Sequence, residues 1–287
     1  MARPKAIVPV ATDDNFVNVM LFSEPGAGKS VFAGTSEKAL ILASNANETT
    51  PMAIHGSKAE KWVMEDHNDL LEAHEYLRHG GTQEFEWVWL DNGTLMQEQG
   101  LDQIMADVAA AKSNRSIYRP DRPEYGENQN RMGLWVRWMV ALPINFGITA
   151  HVMTVEDPAG NQLKMPLFQG GGDKFAQKLC GYMGMVGYMT VAHRKEDDVR
   201  KIILTKRAGI MAKNRFHCLG KEWYVKTGKN GLIDPTTGIP GWMKEISKVL
   251  PNLGKHDAPV VNLEQRRRRP VKKAAGRVRS TTARKAT

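Results

Sequence analysis

The chain has 287 residues, of which 41% are hydrophobic, with a formal net charge of +9 and only two cysteines. This length suits one domain with a full core, or one domain plus an extra segment. Cys180 and Cys218 form at most one bridge, which excludes a disulfide scaffold. No apolar run approaches the roughly 18 residues of a membrane span, and residues 1–5 lead into no signal-peptide segment. We therefore expect a soluble, cytoplasmic protein without a membrane partner.

The positive charge is concentrated near the C-terminal end of the sequence. Residues 265–287 contain ten basic residues and no acid, so the first 264 residues carry about one net negative charge. The segment has few large apolar side chains and cannot offset its ordering entropy, which predicts a disordered basic tail. Such a tail attracts nucleic-acid phosphates without sequence specificity, although a solubilising tail is the alternative. Its predicted DNA contacts are Arg266, Arg267, Arg268 and Arg269.

Strands and helices alternate through the first 150 residues. The predicted elements are, in chain order, a strand at 18–22, a glycine turn and helix from 23, a strand at 38–44, an amphipathic helix at 60–79, a strand at 85–90, and helices at 94–112 and 131–142. This alternation predicts an α/β fold with a mainly parallel sheet and helices on both faces. The predicted organisation is an N-terminal arm (1–15), one domain (16–250), and a linker with the tail (251–287).

The pattern changes after residue 150. A strong strand is predicted at 144–155, and two further strands at 184–192 and 199–205 flank a polar turn, as in an antiparallel hairpin at the sheet edge. Residues 114–130 and 156–173 are polar or rich in Gly and Pro, and we predict long loops there. Loops this long in a compact domain are more often functional than accidental.

The Gly-Ala-Gly-Lys-Ser sequence at 26–30 matches the end of a phosphate-binding loop, although Ser23 stands where that pattern has its first glycine. Backbone N–H groups of such a loop surround the β-phosphate, Lys29 neutralises the phosphates, and the Ser30 hydroxyl reaches Mg²⁺. The alternative is a glycine turn that merely precedes Lys-Ser. The predicted nucleotide-binding residues are Glu24, Pro25, Gly26, Ala27, Gly28, Lys29, Ser30 and Val31.

Two later strands end in residues that suit a bound triphosphate. Asp91 closes a buried strand and is the predicted magnesium carboxylate, with an ordinary turn aspartate as the alternative. Asn92 follows it instead of a second acid, which weighs against an AAA+ style of water activation and favours a RecA type. Thr149 and His151 lie at the end of the next strand and are candidate sensors of the γ-phosphate, with a buried core histidine as the alternative.

The order of these features resembles the phage-encoded RecA-like P-loop ATPases that accompany single-strand annealing and recombination. Its elements are the strand and GKS loop, Glu124-Tyr125-Gly126, the ITAH strand end at 148–151, the Pro-containing 164–167, the hairpin, and Ala-Lys-Asn-Arg at 212–215. The resemblance covers roughly residues 16–220. It implies a RecA-like P-loop NTPase core, ATPase activity, and ATP and Mg²⁺ as cofactors.

The resemblance also implies roles for individual residues. Lys29, Asp91 and His151 would act on the nucleotide, while Lys213 and Arg215 would complete the site of a neighbouring subunit; a solvated basic turn is the alternative for this pair. RecA-like enzymes carry a glutamate after the second strand. Here Asn45 stands at that position and Glu48 is shifted. The missing glutamate argues against efficient ATP hydrolysis but not against ATP binding.

DNA contacts are expected on the two long loops and on the tail. Lys174 and Lys178 follow the glycines at 170–172, and Phe168 is a candidate for stacking on a base, with a nucleotide lid as the alternative. A second basic and aromatic group combines Arg115, Arg119 and Arg122 with Tyr118. The five tryptophans on predicted strands and helices, Trp62, Trp87, Trp89, Trp135 and Trp138, are expected to be packing residues.

The implied partners are single-stranded DNA, further copies of the chain in a ring or filament, and a single-strand DNA-binding protein. A second hypothesis is a nucleotide-dependent assembly or DNA-packaging factor that acts through protein contacts. A small-molecule phosphotransferase is disfavoured, since the sequence shows neither an arginine-rich lid nor an acceptor site.

Overall fold

The computed structural model describes residues 15–112, 114–156, 159–170, 173–193, 198–207, 209–227, 232–250 and 252–254. The N-terminal arm up to residue 14, glycines 171 and 172, and the basic tail with Arg266 to Arg269 lie outside the described residues. The described elements are β1 (Asn18–Ser23), α1 (Lys29–Ala33), β2 (Ala39–Ala43), α2 (Thr50–Ile54), β3 (Glu60–Val63), α3 (His67–Arg78), β4 (Trp87–Asp91), α4 (Gly93–Ala111), α5 (Arg122–Val140), β5 (Asn145–Glu156), β6 (Gln162–Pro166), α6 (Lys174–Tyr182), β7 (Met185–His193), β8 (Asp198–Ile203), β9 (Lys213–Asn214), β10 (Glu222–Val225) and α7 (Ile239–Ser247).

One sheet organises these elements, with strand order β10-β8-β7-β1-β5-β4-β2-β3. The six strands from β7 to β3 are parallel, and β8 and β10 extend the sheet antiparallel beyond β7. The predicted mainly parallel sheet with an antiparallel edge hairpin is therefore confirmed. The register places Ser23 opposite His151 and Ala43 opposite Asp91, so the ends of β1, β2 and β4 meet at one edge, where β5 continues beyond its parallel neighbours.

Side-chain alternation along the strands gives the sheet two buried faces. On β1, Met20 and Phe22 join a core cluster covered by α3, α5 and α6. Val19 and Leu21 point the other way, into a cluster covered by α1 and α7. Successive strand residues face opposite sides of a sheet, and each large apolar side chain buried in this way stabilises the fold by about 1.5–3 kcal/mol. Helices thus cover both faces, as predicted.

The tryptophans of β4 are packing residues, as the sequence indicated. Trp87 and Trp89 are 2% and 0% exposed, and their rings stack with centroids 5.3 Å apart. The indole N–H of Trp89 donates to the Ser36 hydroxyl at 2.9 Å, so its polar atom is satisfied inside the core. Trp135 is also buried, whereas Trp138 keeps 39% of its surface exposed.

The predicted loop at 114–130 is wrong in its second half, because α5 begins at Arg122. Asp121 and Glu124 form a reciprocal capping box, a strong helix-start signal that the Pro and charge content obscured. The buried Asn128 then donates to the Gln97 carbonyl of α4 at 2.8 Å. Polar residues here fasten two helices together, so the Glu124-Tyr125-Gly126 sequence lies in a helix and not in a loop.

The predicted helix at 60–79 is also only partly correct. Residues Glu60–Val63 form β3, an edge strand paired with β2, and the helix starts at His67. Asp66 caps this helix by accepting the N–H groups of Asn68 and Asp69. An edge strand exposes part of its side chains and can therefore contain charged residues. Over only four residues, the mixture of charges with Trp and Val in β3 does not distinguish a strand from an amphipathic helix.

The second predicted loop, 156–173, contains a strand. β6 pairs antiparallel with the outer part of β5, which runs on past the parallel sheet, in a register that places Thr154 opposite Lys164. The segment from 167 to 170 is the remaining described part of the loop, and α6 follows at Lys174. Of the described Gly and Pro residues that predicted a loop, Gly160 lies between the two strands of this hairpin and Pro166 ends β6.

Candidate nucleotide-binding site

The turn between β1 and α1 forms one wall of a pocket of about 490 Å³. Gly26 and Gly28 have φ angles of 78° and 99°, in the left-handed region that side-chain-bearing residues adopt only with strain. The loop therefore depends on these two glycines for its shape. Six of the eight predicted nucleotide-binding residues, 25, 26 and 28–31, line the pocket, whereas Glu24 and Ala27 are not among its lining residues.

Lys29 is held by its own loop. The side chain is 7% exposed, and its ammonium donates to Ser23 Oγ at 2.9 Å and to the carbonyl oxygens of Ser23 and Glu24 at 3.3 Å each. Burial lowers the pKa of Lys29, and the nearby carboxylates of Asp91, Glu48 and Glu24 partly oppose this. Ser23, which replaces the usual first glycine, thus serves as a polar partner of Lys29. An anion in the pocket would compete with these neutral oxygens for the ammonium.

Asp91 meets the loop from the neighbouring strand end. Its Oδ1 accepts hydrogen bonds from the Ser30 hydroxyl at 3.2 Å and from the Thr149 hydroxyl, and its Oδ2 is buried without a protein partner among the described residues. Burial raises the pKa of Asp91 to about 6, against the hydrogen bonds from Thr149 and Ser30, which lower it. A hydroxyl and a carboxylate with an unused oxygen are the hard oxygen donors that Mg²⁺ prefers. These residues therefore fit a magnesium ion.

His151 lies in the middle of β5, at the last position of this strand that pairs with β1, and is beside Asn92. The Asn92 side chain accepts the N–H of Thr94 through Oδ1 at 2.8 Å, so its amide nitrogen donates to His151 Nε2 at 2.9 Å. The proton of a neutral ring is then on Nδ1, which has no partner among the described residues. Burial, followed by the charge of Lys29, lowers the pKa of His151. The histidine is therefore a neutral hydrogen-bonding group that lines the pocket.

Thr149 differs from the sequence expectation. It is fully buried and its hydroxyl donates to Asp91, so it orients the carboxylate and does not face a γ-phosphate. The prediction of Thr149 as a phosphate sensor is wrong, because its hydroxyl is bound to Asp91 at the end of the neighbouring strand β4. His151 and Asn92 occupy the pocket wall in its place.

The residue at the expected glutamate position, Asn45, organises the turn after β2. Its Oδ1 accepts the N–H groups of Asn47 and Glu48, at 2.9 and 3.2 Å, which fixes the amide orientation. Its amide nitrogen then donates to Glu48 Oε1 at 3.3 Å. Glu48 lines the pocket and its charge acts on Lys29, Asp91 and His151. The shifted carboxylate thus reaches the same pocket.

A chain of hydrogen bonds connects His151 of β5 to the segment after β6. Thr94 Oγ1 accepts the His151 N–H at 3.0 Å and donates to the Leu167 carbonyl at 2.8 Å. The Gln97 side chain both donates to and accepts from the backbone of Gln169, at 3.0 and 2.7 Å. The segment 167–169 is therefore fastened to the start of α4, next to Asp91 and Asn92.

Phe168 cannot stack on a base in this arrangement. It is 1% exposed and its ring packs edge-on against Phe175, with centroids 6.2 Å apart. The prediction is wrong because the Gln97 contacts turn the segment inward. Lys174 and Lys178 lie on the exposed surface of α6.

The basic group around Tyr118 is smaller than predicted. Arg115 is ion-paired with Asp121 and Glu124, so it holds the start of α5 instead of pointing to solvent. Tyr118 is 85% exposed, and Arg119 and Arg122 are exposed beside it.

Lys213 and Arg215 lie far from the pocket of their own chain. β9 pairs with the beginning of β7, with Lys213 opposite Val186, whereas the phosphate-binding loop follows the end of the parallel β1. The Lys213 ammonium donates to the carbonyl oxygens of Cys180 and Gly181, at 3.3 and 3.1 Å, at the end of α6. Burial, and then the charge of Arg215, lowers the pKa of Lys213. Neither residue lines the pocket of its own subunit, and action on a neighbour stays a prediction.

Sequence reasoning missed Arg200. It comes from β8 and lines the pocket, and its Nε lies 3.3 Å from the position that a Cβ on Gly28 would take. The alternation along β8, with Arg200 and Ile202 on one face, would have placed it on the side of α1.

A family model described as the AAA domain matches residues 15–216. The chain belongs to the AAA domain family. It therefore carries a nucleotide-binding P-loop ATPase domain, and members of this class usually bind nucleotide with Mg²⁺. Asn92 still stands where an AAA+ enzyme would have a second acid. This difference affects the group that activates the attacking water and does not affect family membership.

Two solved structures show a distant likeness to the chain. The RadB recombinase is 12% identical, with a TM-score of 0.46 over 76% of this chain and 91% of that chain. A KaiC-like protein from the hyperthermophilic archaeon Pyrococcus horikoshii is 11% identical, with a TM-score of 0.40 over 76% of this chain and 90% of that chain.

No curated protein matches this sequence. In the described part of the chain, none of the helices combines the length and apolar character needed to cross a membrane.

Proposed function

We propose that this AAA-family protein is an ATPase that binds single-stranded DNA in phage recombination, annealing or replication, with nucleotide binding controlling the DNA contact. The observation that carries the proposal is the meeting of Lys29, Ser30, Asp91 and His151 at one edge of the sheet. Fold and nucleotide binding come from the family, and the single-strand role extends them.

The nucleotide roles follow from the chemistry of each group. Lys29 would exchange its three oxygen contacts for phosphate oxygens, which are stronger partners for an ammonium. Ser30 Oγ and Asp91 would hold Mg²⁺, which supplies charge neutralisation between the phosphates. Asp91 is then favoured in its ionised form, because a cation next to a carboxylate lowers its pKa.

Glu48 is the proposed general base for hydrolysis. Asn45 holds one of its carboxylate oxygens, and Glu48 faces the pocket that also contains Lys29 and His151. A carboxylate oriented in this way can accept the proton of an attacking water. Asn45 would then be a positioning residue at the place where related ATPases carry the acid itself.

The DNA contact is proposed at α6 and the segment before it. Lys174 and Lys178 are exposed, and the hydrogen bonds of Thr94 and Gln97 connect this region to His151 and Asn92. A γ-phosphate contact at His151 would bias the position of the segment 167–169 through these bonds. Lys213 and Arg215 would contribute at the site of a neighbouring subunit in a ring or filament.

ATPase activity with and without oligonucleotides tests the proposal. Single-stranded DNA should stimulate hydrolysis by the wild-type protein, and Lys29→Ala should abolish both the basal and the stimulated rate. The matched control is Lys38→Ala, which removes an exposed lysine paired with Glu86. Activity that responds only to a protein partner, and not to DNA, would support an assembly or packaging factor and contradict the proposed function.

A further inference from the structure

Arg200 enters the nucleotide pocket from an element that the phosphate-binding motif does not include. It lies on β8, where it pairs with Val191 of β7 on one side and Val225 of β10 on the other. Ile202, two residues on, is fully buried in the core cluster that contains Leu21 and Ala27. Arg200 therefore continues this row of side chains toward the loop, on the same face of the sheet as α1.

The guanidinium lies against the loop backbone. A Cβ built on Gly28 would be 3.3 Å from Arg200 Nε and 3.5 Å from Arg200 Cδ, so only a glycine leaves this space to the arginine without adjustment. Arg200 shares the wall of the 490 Å³ pocket with Lys29 and Ser30. The cation is thus next to the backbone that surrounds the phosphates in a loop of this type.

Arg200 differs from its basic neighbours in having no acidic partner among the side chains that the structure describes, which exclude those of residues 192–198. Lys201 and Arg207 both bind Glu222, at 3.2 and 2.6 Å, on the other side of the hairpin. Among the residues whose side chains the structure describes, no carboxylate pairs with Arg200. A half-buried guanidinium without a carboxylate, facing a pocket, is suited to an anionic ligand, because its planar fork matches phosphate oxygens.

We propose that Arg200 binds the nucleotide phosphates in the same subunit, as a second cation beside Lys29. This inference rests on the proposed nucleotide site. It gives each subunit its own phosphate-binding arginine, in contrast to the pair Lys213 and Arg215, which do not line this pocket and are proposed to act on a neighbour. It also gives the antiparallel hairpin a direct contact with the ligand.

Calorimetric titration of the full chain with Mg²⁺-ATP and Mg²⁺-ADP tests this contact. Arg200→Ala should weaken ATP binding roughly 10- to 100-fold, the range for a charged hydrogen-bonding group. Arg200→Lys should recover part of the affinity, since it keeps the charge but loses the fork geometry. The control is Lys201→Ala, one residue away and facing the opposite side, which should bind ATP as the wild type does. Melting of each variant without nucleotide separates folding defects from binding defects, and Arg200→Gln replaces Arg200→Ala if the latter does not fold.

A mixing experiment separates action in the same subunit from action across subunits. Lys29→Ala subunits retain Arg200, so adding them to Arg200→Ala subunits would restore ATP binding if Arg200 acted on a neighbour. We expect no restoration. Three results would each overturn the inference. The first is restoration of binding in the mixture, the second is an ATP affinity of Arg200→Ala within twofold of wild type, and the third is an equal loss of ATP affinity in Arg200→Ala and Lys201→Ala. Absence of nucleotide binding by the wild type would instead overturn the proposed function, and this inference with it.

Discussion

The Ser30 hydroxyl donates to Asp91 Oδ1 across 3.2 Å and connects residues 61 positions apart in the sequence. Ser30 lies in the first turn of α1, and Asp91 ends β4, which is separated from β1 by β5 in the sheet. Their contact brings the two predicted magnesium ligands to one point. It also leaves Asp91 Oδ2 buried and without a protein partner among the described residues.

Asp91→Asn should stabilise the protein and remove its magnesium response. Burial raises the pKa of Asp91 from an ordinary 3.8 to about 6, so between these values the folded state binds the proton more tightly than the unfolded chain. The contribution of Asp91 to the free energy of unfolding therefore falls as the pH rises from about 4 to about 6. The amide should raise the free energy of unfolding by about 1–3 kcal/mol at pH 7.5 and by little at pH 4.

Urea denaturation at both pH values measures this difference, with the exposed Asp102→Asn as control. For the wild type, Mg²⁺-ATP affinity should fall as the pH is lowered through about 6, because the ion binds the ionised carboxylate. If Asp91→Asn raised the free energy of unfolding equally at pH 4 and pH 7.5, burial of the ionised carboxylate would not be what destabilises the wild type.

Glu48→Gln should separate binding from hydrolysis. The amide keeps the size of the side chain but cannot accept a proton, so single-turnover hydrolysis should slow roughly 100-fold or more while ATP affinity changes little. Asn45→Ala should slow hydrolysis less, since Glu48 remains but loses its hydrogen bond. Glu37→Gln, an exposed change beyond the end of α1, is the control. Unchanged hydrolysis in Glu48→Gln would assign the base to another group.

Thr94→Val should uncouple the nucleotide from DNA. The hydroxyl joins the His151 N–H to the Leu167 carbonyl, and valine has the same shape without these bonds. We expect ATP affinity within a few-fold of wild type and a clear reduction of the stimulation by single-stranded DNA. Thr50→Val, an exposed threonine at the start of α2, serves as the matched control. Full stimulation in Thr94→Val would show that the signal does not pass through this residue.

Deletion of residues 265–287 should reduce the salt dependence of DNA binding. For every phosphate that the tail neutralises, its removal should make the slope of log affinity against log salt concentration shallower by about 0.7 on a single strand. Fluorescence anisotropy with a labelled oligonucleotide between low and moderate salt gives the slope. A slope identical to that of the full chain would place the phosphate contacts on the domain, where Lys174→Ala and Lys178→Ala are the next variants.

The sequence identifies the parts of this site that depend on local spacing. The GKS loop, the strand ending in Asp91 and the strand that contains His151 are each continuous segments, and parallel pairing brings these residues to the same edge. That rule was enough to predict that Lys29, Asp91 and His151 would lie at the same edge of the sheet, where Lys29 and His151 line the pocket. The mainly parallel sheet follows from the same alternation of segments.

Other features depend on contacts that spacing does not encode. Whether Thr149 faces the ligand or Asp91 is decided by the neighbouring strand, and whether Phe168 is exposed is decided by Gln97, 72 residues away from its partner Gln169. Arg200 enters the pocket only because β8 folds back on β7. The helix start at Arg122 was encoded locally, in the capping box of Asp121 and Glu124, but the prolines and charges around it favoured a loop.

We propose that a nucleotide binds with magnesium between the loop at Lys29 and the strand end at Asp91. Isothermal titration calorimetry of the wild type, Lys29→Ala and Lys38→Ala with ATP, in Mg²⁺ and in EDTA, tests it most directly. We predict one site per chain, weaker binding in EDTA, an affinity reduced on the order of 100-fold in Lys29→Ala, and no change in Lys38→Ala. Wild-type protein that releases no heat, and whose melting temperature does not rise with Mg²⁺-ATP, would contradict the account.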